Sequence, residues 1–233
     1  MTEFKKFLTQ FRCKSGEVYT HTSIDEPKGS FKIPDDQISQ FYEIYNRSLM
    51  QGQSIYMTEK PIDPSPMRLD LDFRFSMQVG DSKQLIRKYT DEHIITILKT
   101  YNELLSQYVD SKDPWKAYVM EKPKPVEYRG KIKDGIHIII PDIVMSNTAL
   151  YYLREKIIAD ETLKELLAEI GNLTAVPDVI DKRIIWPNPW FIYGCGKPDD
   201  NGNYYKVSTV YKIIKDDANE DGYDYNILKT NKS

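Results

Sequence analysis

The chain holds only two cysteines in 233 residues, Cys13 and Cys195, and they form no C-x-x-C pair. That count excludes a disulfide framework, and the lack of close Cys/His ligand pairs argues against a structural zinc site. No run approaches the roughly 18 apolar residues of a membrane span, and the start, residues 1–16, is charged with no apolar signal core. A soluble, intracellular protein with no membrane partner is expected. Net positive charge is also missing: the formal charge is −3 and the pI about 5.7. This counts against a non-specific nucleic-acid coat. It counts less against an enzyme whose acids are neutralised by metal and whose basic residues cluster locally. No internal repeat or low-complexity block is visible.

What is present is an ordinary globular balance, 40% hydrophobic and 29% charged, in a chain long enough for one larger domain or two lobes sharing a cleft. Tyrosine supplies 17 of the 28 aromatic residues. That suits either base-stacking surfaces or a half-exposed core.

The most informative segment is Arg68-Leu69-Asp70-Leu71-Asp72-Phe73-Arg74-Phe75. Its strict alternation is the period of a half-buried strand, with Leu69, Leu71, Phe73 and Phe75 on one face. Asp70 and Asp72 then share the other face, roughly 6–7 Å apart from the strand rise. Their oxygens can converge on one divalent ion, or on a pair about 3.5–4 Å apart as in two-metal phosphoryl-transfer sites. Alone, a solvated strand face is the plainer reading.

Along the chain, helical patterns are expected from Ile33 to about Gly52, from about Ser82 to Val109 with Thr90-Asp91-Glu92-His93 as a break or the cap of a second helix, and from Asn147 to Ile170 with a break at Asp160-Glu161. Strands are expected at Ser54–Thr58, Ala117–Glu121, Gly135–Pro141, Phe191–Gly194 and Tyr204–Ile214, the last after an Asn201-Gly202 turn. Residues 122–133 form a basic loop with five Lys/Arg and one acid, and Asp216 to Asp224 carries five acids and no base.

Two further stretches bear chemistry. Lys133-Asp134-Gly135-Ile136-His137-Ile138-Ile139-Ile140 embeds a histidine in an apolar strand, on the same face as a glycine that would admit a phosphate or sugar. His21 and His93 lie in polar surroundings by comparison. A core histidine bonded to a backbone carbonyl is the plainer reading. Val179-Ile180-Asp181 puts an acid at the end of a short apolar run, where a cap or turn acid is the plainer reading. Lys197 follows two glycines separated by one residue, a flexible bend that suits either a lysine reaching for phosphate or a surface hairpin.

Taken together, the order and spacing resemble the archaeo-eukaryotic primase (AEP) catalytic domains. The nearest likeness is to the N-terminal primase part of primase–helicases of large DNA viruses, a PrimPol-related branch. The motif order is an acidic D-x-D pair, then G-x-H, then hydrophobic-Asp, here Asp70/Asp72, Gly135-Ile136-His137 and Ile180-Asp181. Tyr19–Ile24, Pro27–Gly29 and Tyr56–Pro61 also look like this branch, so the likeness spans about residues 16–212.

The resemblance implies an α+β fold with a modified RRM-like sheet and an N-terminal α/β lobe closing a cleft. The catalytic domain would be 1–215, with lobes of about 1–60 and 61–215, and 216–233 would be a flexible acidic tail or linker to an absent helicase part. It implies a DNA primase or primase-polymerase that joins NTPs or dNTPs on a single-stranded DNA template with two Mg2+ or Mn2+ ions. A viral member would work at the replication site of the infected cell. Asp70, Asp72 and Asp181 would be the catalytic metal-binding acids; Lys133, Gly135, His137 and Lys197 would hold the incoming nucleotide, with Lys60 a looser match. Lys122, Lys124, Arg129 and Lys131 are the candidates for contact with the template strand.

Two departures stand out. Glycine replaces the serine of the second motif, so its backbone N–H would have to meet phosphate, and Phe191 stands where PrimPol relatives carry an arginine. A non-catalytic single-strand-binding module on an RRM-like sheet is the alternative; it would need aromatic rings where this strand shows aspartate. Replication-initiator nucleases need an H-x-H pair, and the chain has none.

Overall fold

Alternation at 68–75 is the middle of a twelve-residue strand, β4 (Ser65–Ser76), in which every second residue is buried. Leu71 and Phe73 are fully enclosed, so the apolar face anchors the strand and the charged face is left at the surface. The computed structural model describes residues 1–77, 85–109, 114–215 and 222–231. The chain divides into two compact units, Met1–Ile62 with Trp186–Tyr205, and Asp63–Ile185 with Lys206–Ser233. The expected lobe boundary near residue 60 therefore misses a return: Trp186–Tyr205 belongs with the N-terminal unit.

That first unit contains α1 (Glu3–Thr9), β1 (His21–Ser23), β2 (Gly29–Phe31), α2 (Ile38–Met50), β3 (Met57–Glu59) and, from the return, β8 (Trp190–Phe191). The strands form a sheet in the order β2-β1-β3-β8. Thr2 caps α1 by accepting from the Lys5 N–H, and α2 begins behind Pro34 after a single 3-10 turn. Phe4, Phe7, Phe31, Phe41, Tyr45 and Ile192 meet in one core. Gly194 sits at φ +86, and a Cβ there would stand 2.7 Å from Leu49 Cδ1. The bend before Lys197 is thus fixed by packing, where the sequence suggested a flexible one. Phe191 packs against the same core.

The second unit is built on a sheet of order β10-β9-β5-β7-β4, with β6 paired to β7. Its strands are β5 (Trp115–Glu121), β6 (Val126–Tyr128), β7 (Lys131–Met145), β9 (Lys206–Lys215) and β10 (Tyr223–Thr230). Its helices are α3 (Asp91–Ser106), α4 (Asn147–Ala159), α5 (Glu161–Glu169) and the short α6 (Val176–Val179). Every strand pair is antiparallel, and the mixture of helix with antiparallel sheet is the expected α+β class.

Several boundaries move. The break or cap read at Thr90-Asp91-Glu92-His93 is where α3 begins, with Thr90 and His93 forming a reciprocal cap; residues 85–90 are not helical, and residues 78–84 lie outside the described residues. The break at Asp160 is as read: its carboxylate accepts from the Leu163 N–H and starts α5. Residues 126–128 and 131–133, expected as loop, form the β6–β7 hairpin around Arg129-Gly130, both at positive φ. β7 runs past Pro141, which lies in an irregularity of the β4–β7 ladder. The tail is corrected too. Tyr223–Thr230 is an edge strand on β9, and the Tyr223 ring lies 5.7 Å from that of Trp115. Residues 216–221 lie outside the described residues. Among the described residues, no helix is long and apolar enough to cross a membrane.

His21 also differs from expectation. It is 2% exposed, its ring lies 4.8 Å from Phe41, and its Nε2 has no hydrogen-bond partner. Burial pushes its pKa down to about 4. Between pH 6.5 and 4 the unfolded chain therefore takes up a proton that the native chain refuses, and stability falls as pH falls, by up to about 3 kcal/mol. Thermal melts across that range should show this loss. A His21→Gln variant should lose the corresponding part of the slope; an unchanged slope would show that the acid sensitivity arises elsewhere.

Candidate active site

β4 is the last strand of its sheet, and its two sides meet different partners. On one side runs β7, in a register that sets Asp70 opposite His137 and Asp72 opposite Gly135, with Arg74 opposite Lys133. The alternation that buries Leu69, Leu71 and Phe73 therefore puts Asp70, Asp72, Lys133 and His137 on one wet face. His137 Nε2 lies 3.3 Å from Asp70 Oδ1, and Lys133 Nζ lies 3.3 Å from Asp72 Oδ1, with Arg74 Nη1 at 3.7 Å from the same oxygen.

The outer edge of β4 would be open to pairing, and residues 172–181 cover it. Leu173 N–H donates to Arg74 O, the Asn172 side chain accepts from Arg74 N–H, and Asp181 N–H donates to Asp70 O. Ile180 bridges Leu71. Asp181 therefore reaches the acids by covering the edge of β4, just after α6. The buried guanidinium of Arg154 on α4 holds this segment in place: Nε donates to Ile180 O at 2.9 Å and Nη2 to Pro177 O at 2.6 Å.

Asp181 in turn caps the following turn and binds Arg183. Its Oδ1 accepts from Arg183 N–H at 2.9 Å, and the guanidinium grips both oxygens at 2.9–3.1 Å. Burial alone would raise the Asp181 pKa, but these bonds and the Arg183 charge outweigh it and hold the carboxyl below its usual range. A pocket of about 630 Å³ opens beside Asp72 and Asp181, walled by Glu155 and Ile158 of α4 and by Lys182 and Arg183.

Behind the wet face lies a second network. Arg87 pairs with Asp134 (2.9 Å) and Glu121 (2.8 Å) and donates to Lys122 O, while Tyr89 O–H donates to Gly135 O. Burial pushes the Asp134 pKa up, with Arg87 offsetting part of the shift. Asp134 Oδ1 also accepts the Gly135 N–H at 2.9 Å. The backbone donor expected to meet phosphate in place of a serine is thus already bonded within its own strand.

The second unit brings together Asp70, Asp72, Asp181, Lys133, Gly135 and His137. Lys60 and Lys197 belong to the first unit, where the Lys60 ammonium lies 5.0 Å from the ring centre of Tyr19 and 5.2 Å from that of Trp186. Lys122 follows β5, Lys124 and Arg129 are exposed, and Lys131 opens β7; all four flank the β6–β7 hairpin. Sequence reasoning missed Arg87, Arg154 and Arg183. The signal for Arg183 was its place two residues after the motif acid; Arg87 and Arg154 act through tertiary packing and left no local trace.

Among the described residues, no three His, Cys, Asp or Glu side chains are grouped tightly enough to hold a metal ion. Asp72 instead faces Lys133 and Arg74, Asp181 faces Arg183, and Asp70 faces the His137 imidazole. The donor set nonetheless suits a hard divalent ion: three partly exposed carboxylates, two on one strand face and the third backbone-bonded to that strand.

The two acids of the last strand share a face with a histidine and a lysine of its neighbour, with a third acid backbone-bonded to the strand, and they follow the motif order of the archaeo-eukaryotic primase (AEP) domains. The chain belongs to that class: the family described as the C962R protein N-terminal AEP domain matches residues 20–211. It is similar to "Putative helicase L207/L206" of Acanthamoeba polyphaga mimivirus, with 29% identity over 219 residues. It is also similar to "Putative helicase 184R" of Invertebrate iridescent virus 6, with 24% identity over 227 residues. The matches take in 92% and 90% of this chain but only 22% and 23% of those relatives' lengths.

If Arg154 positions Asp181, losing its two carbonyl bonds should loosen the covering segment. Arg154→Met should cost about 2–4 kcal/mol in urea unfolding, the range for charge-assisted bonds to buried acceptors. An unchanged midpoint would show that the β4 edge holds this segment unaided.

Proposed function

We propose that this domain makes primers on single-stranded DNA by metal-dependent, template-directed nucleotidyl transfer, as the primase part of a longer polypeptide that also carries a helicase. The observation that carries this reading is Asp70 and Asp72 standing between His137 and Lys133 on the β7 side and Asp181 on the edge side. Asp70, Asp72 and Asp181 would hold one or two Mg2+ or Mn2+ ions. Such an ion supplies activation of a 3′-hydroxyl and charge neutralisation on the departing pyrophosphate.

The protein's own residues supply position and charge. Lys133 and His137, which pair with the acids, would hold a triphosphate in line with the carboxylates proposed to bind metal. Gly135 adds no side chain to the face that it shares with His137, and the Arg87–Asp134–Tyr89 network holds that stretch of β7. The exposed basic residues around the β6–β7 hairpin give the local positive field that the net charge of −3 denies. The non-catalytic alternative fits less well, because the wet face of β4 carries aspartates and arginines and no stacking rings.

Primer synthesis on single-stranded templates with labelled rNTPs or dNTPs, with each metal in turn, tests the proposal. The wild-type chain should make labelled oligonucleotides, and Asp70→Ala or Asp72→Ala should abolish them with the fold intact; near-normal synthesis by either variant would sink the reading. In a separate nucleotide-binding measurement, Lys133→Ala and His137→Ala should each weaken affinity by about 1–3 kcal/mol. Unchanged affinity in both would make these residues structural.

A further inference from the structure

We propose that Arg183 is an exchangeable counter-ion of Asp181, which it surrenders to a divalent cation, so that metal binding frees a guanidinium at the edge of the adjoining pocket. The inference rests on the metal role proposed above for Asp70, Asp72 and Asp181.

Three arginines around the acids, Arg154, Arg74 and Arg183, differ in how they are held. Arg154 is buried and committed to two backbone carbonyls, so it is a fixed part of the fold. Arg74 donates to Phe73 O and stands 3.7 Å from Asp72. Arg183 is different: its side chain is 67% exposed, while the Asp181 carboxylate that it grips is only 17% exposed. The guanidinium sits on the solvent side and occupies both oxygens of the carboxylate.

A divalent cation coordinated by Asp181 needs the same lone pairs, so metal and guanidinium exclude one another there. The Asp181 bond to the Arg183 backbone N–H and the Asp181 N–H bond to Asp70 O are independent of the guanidinium. The acid can therefore keep its place while its partner changes. Competition of this kind lowers the apparent metal affinity by the fraction of time the pair is formed. For an exposed ion pair that is about a two- to fivefold effect.

The exchange also changes the pocket. Its lining carries four carboxylates, Asp72, Glu155, Asp178 and Asp181, against Arg154, Lys182 and Arg183, so it is acidic by one charge. Once a divalent metal takes Asp72 and Asp181, the lining of this pocket of about 630 Å³ changes sign: Glu155 stays paired with Arg154, and Asp178 alone faces Lys182, the released Arg183 and the metal charge. The pocket then favours a polyanion only after metal is in place, which sets a metal-first order of binding.

The test is Mn2+ binding to the whole chain without nucleotide or nucleic acid, read from the electron paramagnetic resonance signal of free Mn2+. Arg183→Ala should bind Mn2+ about two- to fivefold more tightly than wild type, and Arg183→Lys, which keeps the charge but loses the fork, should fall between them. In an Asp181→Asn background, Arg183→Ala should give no gain. Folded Arg183→Ala, checked by circular dichroism, that binds Mn2+ no tighter would overturn the inference while leaving the metal role intact. A gain that persists with Asp181→Asn would also overturn it, by tracing the effect to the general field. Wild-type protein that binds no Mn2+ would overturn the metal role itself, and this inference with it.

Discussion

The antiparallel pairing of β4 with β7 is the constraint on which the rest depends. Side chains alternate between faces along each strand, so a slip of one residue would turn Asp70 and Asp72 into the core and Leu71 and Phe73 toward water. Burying Leu69, Leu71, Phe73 and Phe75 against the apolar residues of β7 and α3 makes that slip costly. The hydrophobic core thereby fixes the register that sets Asp70 opposite His137 and Asp72 opposite Gly135.

Charge balance is the second organising fact. The acids, the histidine and the lysine share one partly exposed face, and each carboxylate lies 2.9–3.3 Å from a side-chain nitrogen of His137, Lys133 or Arg183. Deeper pairs have another task. Arg87 with Asp134 and Glu121 lies behind β7, and Arg154 is tied to the segment over the edge of β4; losing one partner of such a pair leaves buried charge or carbonyls unmet. The surface pairs are the ones proposed to exchange partners, and the buried ones hold the strands that present them.

Much of the second unit was legible because its signals are local. The period of two in Arg68–Phe75, the apolar run after Lys133, and the break at Asp160 depend only on neighbouring residues, and all three occur as read. What escaped depends on distant ones. His21 reads as polar beside Thr20 and Thr22, yet α2 brings Phe41 over its ring. Arg87 and Arg154 resemble surface helix and loop charges until β7 and the α6 segment fold onto them. The acidic run before Gly222 hid the alternation of Tyr223, Tyr225 and Ile227, which pairs with β9. The return of Trp186–Tyr205 to the first unit leaves no mark in composition at all. Placement of Asp181 beside Asp70 was reached only through motif order, since its immediate neighbours read as a turn.

The central claim is that these three acids form one divalent-metal site with a triphosphate on the β7 side. A crystal of the chain grown with Mn2+ and a non-hydrolysable nucleoside triphosphate, with anomalous scattering recorded at the manganese edge, tests it most directly. The account predicts manganese peaks bounded by the carboxylates of Asp70, Asp72 and Asp181, with the phosphates against Lys133 and His137. Manganese and phosphates found together elsewhere on the chain, with Asp70 still on His137 and Asp72 still on Lys133, would contradict it.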